Sequence, residues 1–205
     1  MKEPAHLAFP AARAIAERFV EARLAARSLA EFPGPLPPDL PAAYECQELA
    51  IGLWPDQIAG WKVGLARTPE GSAGRLVGPI FRQSLREARA TAETEFPVFE
   101  HGFAAVEAEI VVRLKAGVPG SKTAWRPDEA AEWVATMHVG IETAGSPLAA
   151  INDLGACAIV ADFGNNAGLI VGPEIPDWAS GTPDSLTAET ILDGEAAGKI
   201  GRAHV

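Results

Sequence analysis

Val106-Glu107-Ala108-Glu109-Ile110-Val111-Val112-Arg113-Leu114 is the stretch whose reading decides the fold. A β-strand sends successive side chains to opposite faces, and the residues here alternate with that period of two. Val106, Ala108, Ile110, Val112 and Leu114 therefore share one face, while Glu107 and Glu109 share the other. Two carboxylates side by side on an apolar, β-branched strand repel each other and are costly to bury, so the pattern calls for positive charge between them. A divalent cation meets that need.

Strands of similar character lie on both sides. Upstream, Ile58-Ala59-Gly60-Trp61-Lys62-Val63-Gly64-Leu65 reads as a short strand whose glycines permit close backbone approach. Lys62 is its one charge. A lone lysine is most often a surface residue, but partial burial between Trp61 and Val63 would turn it toward an anionic or carbonyl substrate and acid/base work. Residues 66 to 100 read as turns, at Gly71, Gly74 and Gly78-Pro79, with an Ala/Glu/Arg-rich connection.

Downstream, Pro127-Asp128-Glu129 opens a helix predicted to run to about Met137, since Pro suits the first helical position and acids suit the first turn. Met137 to Thr143 alternates again, with His138 and Glu142 on one side. Glu142 taken alone is a strand-end surface glutamate. Cys157-Ala158-Ile159-Val160-Ala161 reads as a buried strand ending in the polar cluster Asp162-Phe163-Gly164-Asn165-Asn166. Such a cluster suits a site, and equally an Asn-Gly turn. Leu169-Ile170-Val171 is another strand, and Asp193-Gly194 between Thr190-Ile191-Leu192 and Glu195-Ala196-Ala197 signals a type I′ hairpin.

The N-terminal part differs in kind. Residues 10 to 31 form an amphipathic helix with Ile15, Phe19 and Ala22 at helical spacing. The Pro-rich segment 32 to 41 cannot continue it, and a second helix follows from Ala42 to Leu53. The expected organisation is a helical cap over 1–56 and a β-rich metal-binding catalytic domain over 57–205.

Composition narrows the function. The chain has 205 residues, 48% hydrophobic and 21% charged, enough for one substantial core. A formal charge of −10 and the lack of clustered Lys and Arg exclude nucleic acid and anionic membrane as partners. Cys46 and Cys157 form no ligand motif and read as two reduced thiols of a cytoplasmic protein. Lys2, Glu3, Arg13, Glu17 and Arg18 interrupt any signal peptide. The histidines read as structural or surface groups: His6 and His204 near the ends, His101 and His138 beside the carboxylate strands.

Taken together, Gly60-Trp61-Lys62-Val63-Gly64-Leu65, Val106 to Ile110, Ile141-Glu142, Gly145-Ser146 and the segment from Val160-Ala161-Asp162 to Gly172 resemble, in order and spacing, the 2-keto-4-pentenoate hydratases. These belong to the fumarylacetoacetate hydrolase superfamily, which also holds 4-oxalocrotonate decarboxylases. The resemblance implies an α+β fold, a mixed β-sandwich roll behind an N-terminal helical region. It implies Mg²⁺ or Mn²⁺ held by Glu107, Glu109 and Glu142, with Lys62 and Asp162 catalytic and Lys62 and Ser146 binding substrate.

The implied reaction is hydration of a small 2-oxo-4-enoate in aromatic-compound catabolism, with Lys62 moving protons. Alternatives are decarboxylation of an oxalocrotonate-like acid, which a basic residue such as Arg75 would favour, acylpyruvate hydrolysis, or a truncated, non-catalytic subunit. A homo-oligomer is implied, with pairing to a decarboxylase paralogue an option. Two departures stand out. Arg75-Leu76-Val77-Gly78-Pro79-Ile80-Phe81 lacks the acid the family carries before this segment. The chain also stops at Gly201-Arg202-Ala203-His204-Val205, where the family continues with a turn, a helix and closing strands, so the expectation is a chain truncated at its C-terminus.

Overall fold

The computed structural model describes residues 9–67, 73–89, 93–180 and 188–200. The turn at Gly71, the charges at Lys2 and Glu3, His6, and Gly201 to Val205 with His204 lie outside the described residues. The chain divides into two compact units. One comprises Met1–Arg86, Glu95–Val106 and Glu142–Leu169, the other Glu87–Thr94, Glu107–Ile141 and Ile170–Val205.

In the first unit, helix α1 (Ala12–Leu24) is shorter than the predicted 10 to 31 because Ala26 turns the backbone to φ 50°. Ile15 and Phe19 of α1 enter a core with Phe32, Cys46, Leu148 and Ile151. Helix α2 (Leu40–Leu53) starts where Asp39 accepts from the Ala42 N–H at 2.9 Å, with Pro41 in the first turn. Strand β1 (Ile58–Arg67) extends the predicted strand and pairs antiparallel with β2 (Ala73–Phe81). Gly74, Gly78 and Pro79, which read as turns in the sequence, lie within β2.

Side chains of α2 secure β2: Gln47 Nε2 donates to Val77 O at 3.1 Å and to Val160 O at 2.9 Å, and the Val77 N–H donates to Tyr44 Oη at 3.0 Å. Both cysteines are buried and outside any disulfide. Burial, with Glu45 adding repulsion, pushes the Cys46 thiol up to about 11.

A four-stranded sheet has the order β3 (Leu85–Glu87), β6 (Asn166–Glu174), β5 (Val134–Ser146), β4 (Phe103–Leu114). The alternating stretch thus lies on an edge strand. On its apolar face Val106, Val112 and Leu114 are exposed. The predicted helix to Met137 is the five-residue α3 (Pro127–Ala131), since the β-branched alternation of β5 takes over at Val134 and Trp133 packs edge-on against Trp125 at 6.3 Å.

The apolar run predicted as a strand, Cys157 to Ala161, is helix α4 (Ala156–Ala161). A short run buried on all sides satisfies either period. Strands β7 (Ala188–Leu192) and β8 (Glu195–Ile200) form the predicted hairpin, with positive φ at both Asp193 (51°) and Gly194 (84°), as a type I′ turn requires. The α+β class with open sheets therefore holds. No described helix is long and apolar enough to cross a membrane.

Candidate metal centre

Glu107 and Glu109 stand two residues apart on β4, and Glu142 comes from β5, the neighbouring strand in the sheet order. Each offers a carboxylate oxygen, and these oxygens lie within 4.8 Å of one another. Glu107 is exposed, Glu109 half-buried and Glu142 buried. Solvent at Glu107 therefore relieves part of the burial penalty that the sequence pattern implies for the pair.

Lys62 is not a surface lysine. Its side chain is only 16% exposed, its Nζ lies 3.3 Å from Glu142 Oε1, and it donates to Gly164 O at 3.1 Å. The face of β1 decides this: Trp61, Val63 and Leu65 point to solvent, so Lys62 points the other way, opposite Gly78 of β2. Gly78 has to be glycine there, because a Cβ would fall 2.2 Å from Phe163 O. Arg75 pairs with Leu65 and is exposed, on the face turned away from Lys62. It therefore does not supply a second basic group beside Lys62.

Asn166 completes the surroundings of Glu142, donating from Nδ2 to Oε1 at 2.9 Å. Just before it the backbone does something unusual. Phe163, Gly164 and Asn165 all have positive φ (55°, 66° and 61°), a single left-handed turn between α4 and β6. For the two non-glycine residues this is a strained conformation, about 1–2 kcal/mol each. Packing secures it: the Phe163 ring stacks edge-on against Trp54 and Phe81 at 5.6 and 5.1 Å.

Asp162 and Ser146 lie beside this turn and are fully buried. Asp162 Oδ1 accepts from Arg23 Nε at 2.5 Å and Oδ2 from Ser146 Oγ at 2.6 Å, while Ser146 Oγ also accepts from the Leu148 N–H at 3.0 Å. Arg23 was overlooked in the sequence, as was the specific part of Asn166. The signal for Arg23 was present, since it follows Ile15 and Phe19 at the same four-residue step and so belongs to the buried stripe of α1.

The donor set suits a hard cation. Three carboxylates offer oxygen alone, which matches Mg²⁺, Mn²⁺ or Ca²⁺ better than softer metals. His138 is engaged elsewhere, Nδ1 with Gly172 O at 3.1 Å and Nε2 with Thr136 Oγ1 at 2.9 Å. His101 is exposed beside Glu100. A separate apolar cavity of about 310 Å³, lined by Leu36, Pro37, Pro38, Leu154 and Cys157, contains no charged group and so offers no comparable chemistry.

No family model and no curated protein matches the sequence. Solved structures do match. A 4-oxalocrotonate decarboxylase from Pseudomonas putida G7, complexed with calcium and acetate, is similar over 94% of this chain and 73% of its own, with a TM-score of 0.65 at 17% identity. The same enzyme complexed with magnesium and adipate gives 0.64, also at 17% identity, over 94% of this chain and 74% of its own. The chain has the fold of these enzymes.

Proposed function

We propose that the chain is a divalent-metal-dependent lyase acting on a small 2-oxo acid, with Glu107, Glu109 and Glu142 as the metal ligands. The observation that carries this reading is the convergence of three carboxylate oxygens within 4.8 Å, with Lys62 on the most buried of the three. The similar structures, recorded with calcium or magnesium, support the choice of metal. When bound, Mg²⁺ or Mn²⁺ would supply Lewis-acid stabilisation for the substrate's 2-oxo oxygen, an effect of several kcal/mol.

The chain's own residues do the rest. Lys62, mostly withdrawn from water, offers one ammonium to the substrate's carboxylate and a proton donor at Nζ. Gly164 O and Glu142 fix where that ammonium sits. Asp162 and Ser146, fully buried and bonded to each other, act from behind through Arg23, which Asp162 holds and which reaches the backbone carbonyls of Gly145 and Asn166. Hydration of a 2-oxo-4-enoate such as 2-keto-4-pentenoate is the reaction we favour. Decarboxylation is the second reading, supported by the likeness in fold to a 4-oxalocrotonate decarboxylase.

Calorimetric titration with Mg²⁺ and Mn²⁺, with and without oxalate, tests the centre. Binding strengthened by oxalate and lost in Glu109→Gln is the expected result. A folded wild-type chain that binds neither metal would overturn the reading. Product analysis with 2-keto-4-pentenoate and 4-oxalocrotonate then separates hydration from release of CO₂.

A further inference from the structure

Arg23 has more bonds than a partner for Asp162 needs. Besides Nε to Asp162 Oδ1, its Nη1 donates to Asn166 O at 3.0 Å, and its Nη2 donates to Gly145 O at 2.9 Å and to Asp162 O at 3.2 Å. Asp162 O and Asn166 O are the carbonyls that bracket the left-handed turn Phe163–Gly164–Asn165. One rigid guanidinium therefore spans the strained turn from end to end, and its Cζ lies 5.2 Å from the Phe163 ring centre.

We propose that Arg23 is the positioning residue of the carboxylate centre, fixing Glu142 and Lys62 through the turn it clamps. The inference rests on the metal-dependent reading of Glu142 and deepens it. Two short paths lead from the clamp. Along one, Arg23 fixes the Asn166 backbone, and the Asn166 amide orients Glu142 Oε1. Along the other, the middle carbonyl of the turn, Gly164 O, is the acceptor that holds Lys62 Nζ.

If Arg23 served only to neutralise buried Asp162, a single charge would be enough. Three of its four bonds go instead to carbonyls. A lysine ammonium is a compact point charge on a flexible stem and cannot reproduce the planar fork that reaches Gly145, Asp162 and Asn166 together. Arg23→Lys therefore keeps the charge and removes the clamp.

The test compares wild type, Arg23→Lys and Glu142→Gln. In Arg23→Lys, folded by circular dichroism, the side-chain amide resonances of Asn166 should move, and Mg²⁺ or Mn²⁺ affinity should fall about 10- to 100-fold, the range seen when a group that orients metal ligands is lost. A folded Arg23→Lys protein with wild-type Asn166 resonances would overturn the proposal, whatever its metal affinity.

A variant that fails to fold leaves the reciprocal measurement. Replacing Glu142 by Gln should shift the Arg23 guanidinium resonances in an otherwise native protein, and unmoved resonances there would equally overturn the proposal. Neither resonance test needs bound metal. A wild-type chain that binds no metal would therefore sink the metal reading alone, while the Asn166 and Arg23 signals still decide whether the clamp exists.

Discussion

Asp162 and Glu142 are both carboxylates withdrawn from water, 0% and 3% exposed, yet their surroundings are opposite in balance. Asp162 has one oxygen on the Arg23 guanidinium and the other on the Ser146 hydroxyl. Its charge is matched by one cation and each oxygen has a strong donor. Glu142 meets Lys62 and the Asn166 amide, but two more carboxylates, Glu107 and Glu109, bring their oxygens within 4.8 Å of its own. Three acids face one ammonium among these groups. Burial alone therefore does not distinguish the two; under the proposed metal-dependent reading, the grouping of Glu142 with Glu107 and Glu109 does.

Substitutions can break this contrast, and the largest effect belongs to the brace. Asp162→Ala strands the Arg23 guanidinium without its carboxylate and should cost about 3–5 kcal/mol in urea unfolding. A loss below about 1 kcal/mol would mean that water reaches Arg23. Ser146→Ala leaves one Asp162 oxygen without its hydroxyl donor, and about 1–3 kcal/mol is expected in the same assay.

Gly78→Ala probes the floor under both sites, because the new methyl must displace Phe163 O. A loss of about 1–3 kcal/mol, with Lys62 shifted in a crystal structure, is the expected outcome. Glu142→Gln should change stability by less than about 1 kcal/mol, since relief from two neighbouring acids offsets the lost Lys62 pair. Metal titration of that variant should nonetheless show no binding, and stability loss comparable to Asp162→Ala would erase the distinction between the two carboxylates.

Cys46, whose charged neighbour of consequence is Glu45, extends the comparison to an acid kept neutral. Its folded thiol titrates near 11 against an ordinary 9.0. The folded state therefore holds its proton longer than the unfolded chain, and the contribution of Cys46 to stability should be fully present below pH 9 and be lost as pH rises toward 11. A pH series of urea midpoints, compared with Cys46→Ala, measures it, and no effect is expected at neutral pH.

Local pattern carried much of the fold. Alternation located β4 and β5, and Asp193-Gly194 marked its hairpin correctly, because a two-residue period and a positive-φ turn are written in adjacent residues. Where neighbours in space mattered, the pattern failed. The run Cys157 to Ala161 is apolar on every side whether helix or strand, and β2 is hidden behind Gly74, Gly78 and Pro79, of which Gly78 answers to the close approach of Phe163 and Gly164. Glu107 and Glu109 were legible as a pair from spacing alone. Glu142 joined them only through family resemblance, since nothing local says that β5 lies beside β4. Arg23 was readable in principle from the stripe of α1, but its partners were not.

Those partners lie 122 to 143 residues further along the chain. The clamp closes a loop of more than half the protein, whose closure entropy has to be met before any of its bonds can form. Helix α1 can take shape on local propensity early in folding, yet the left-handed turn lacks its Arg23 clamp until α1 docks against it. In kinetic terms the turn and its clamp are expected to form late. Hydrogen exchange during refolding should show α1 amides protected before those of Asn165 and Asn166.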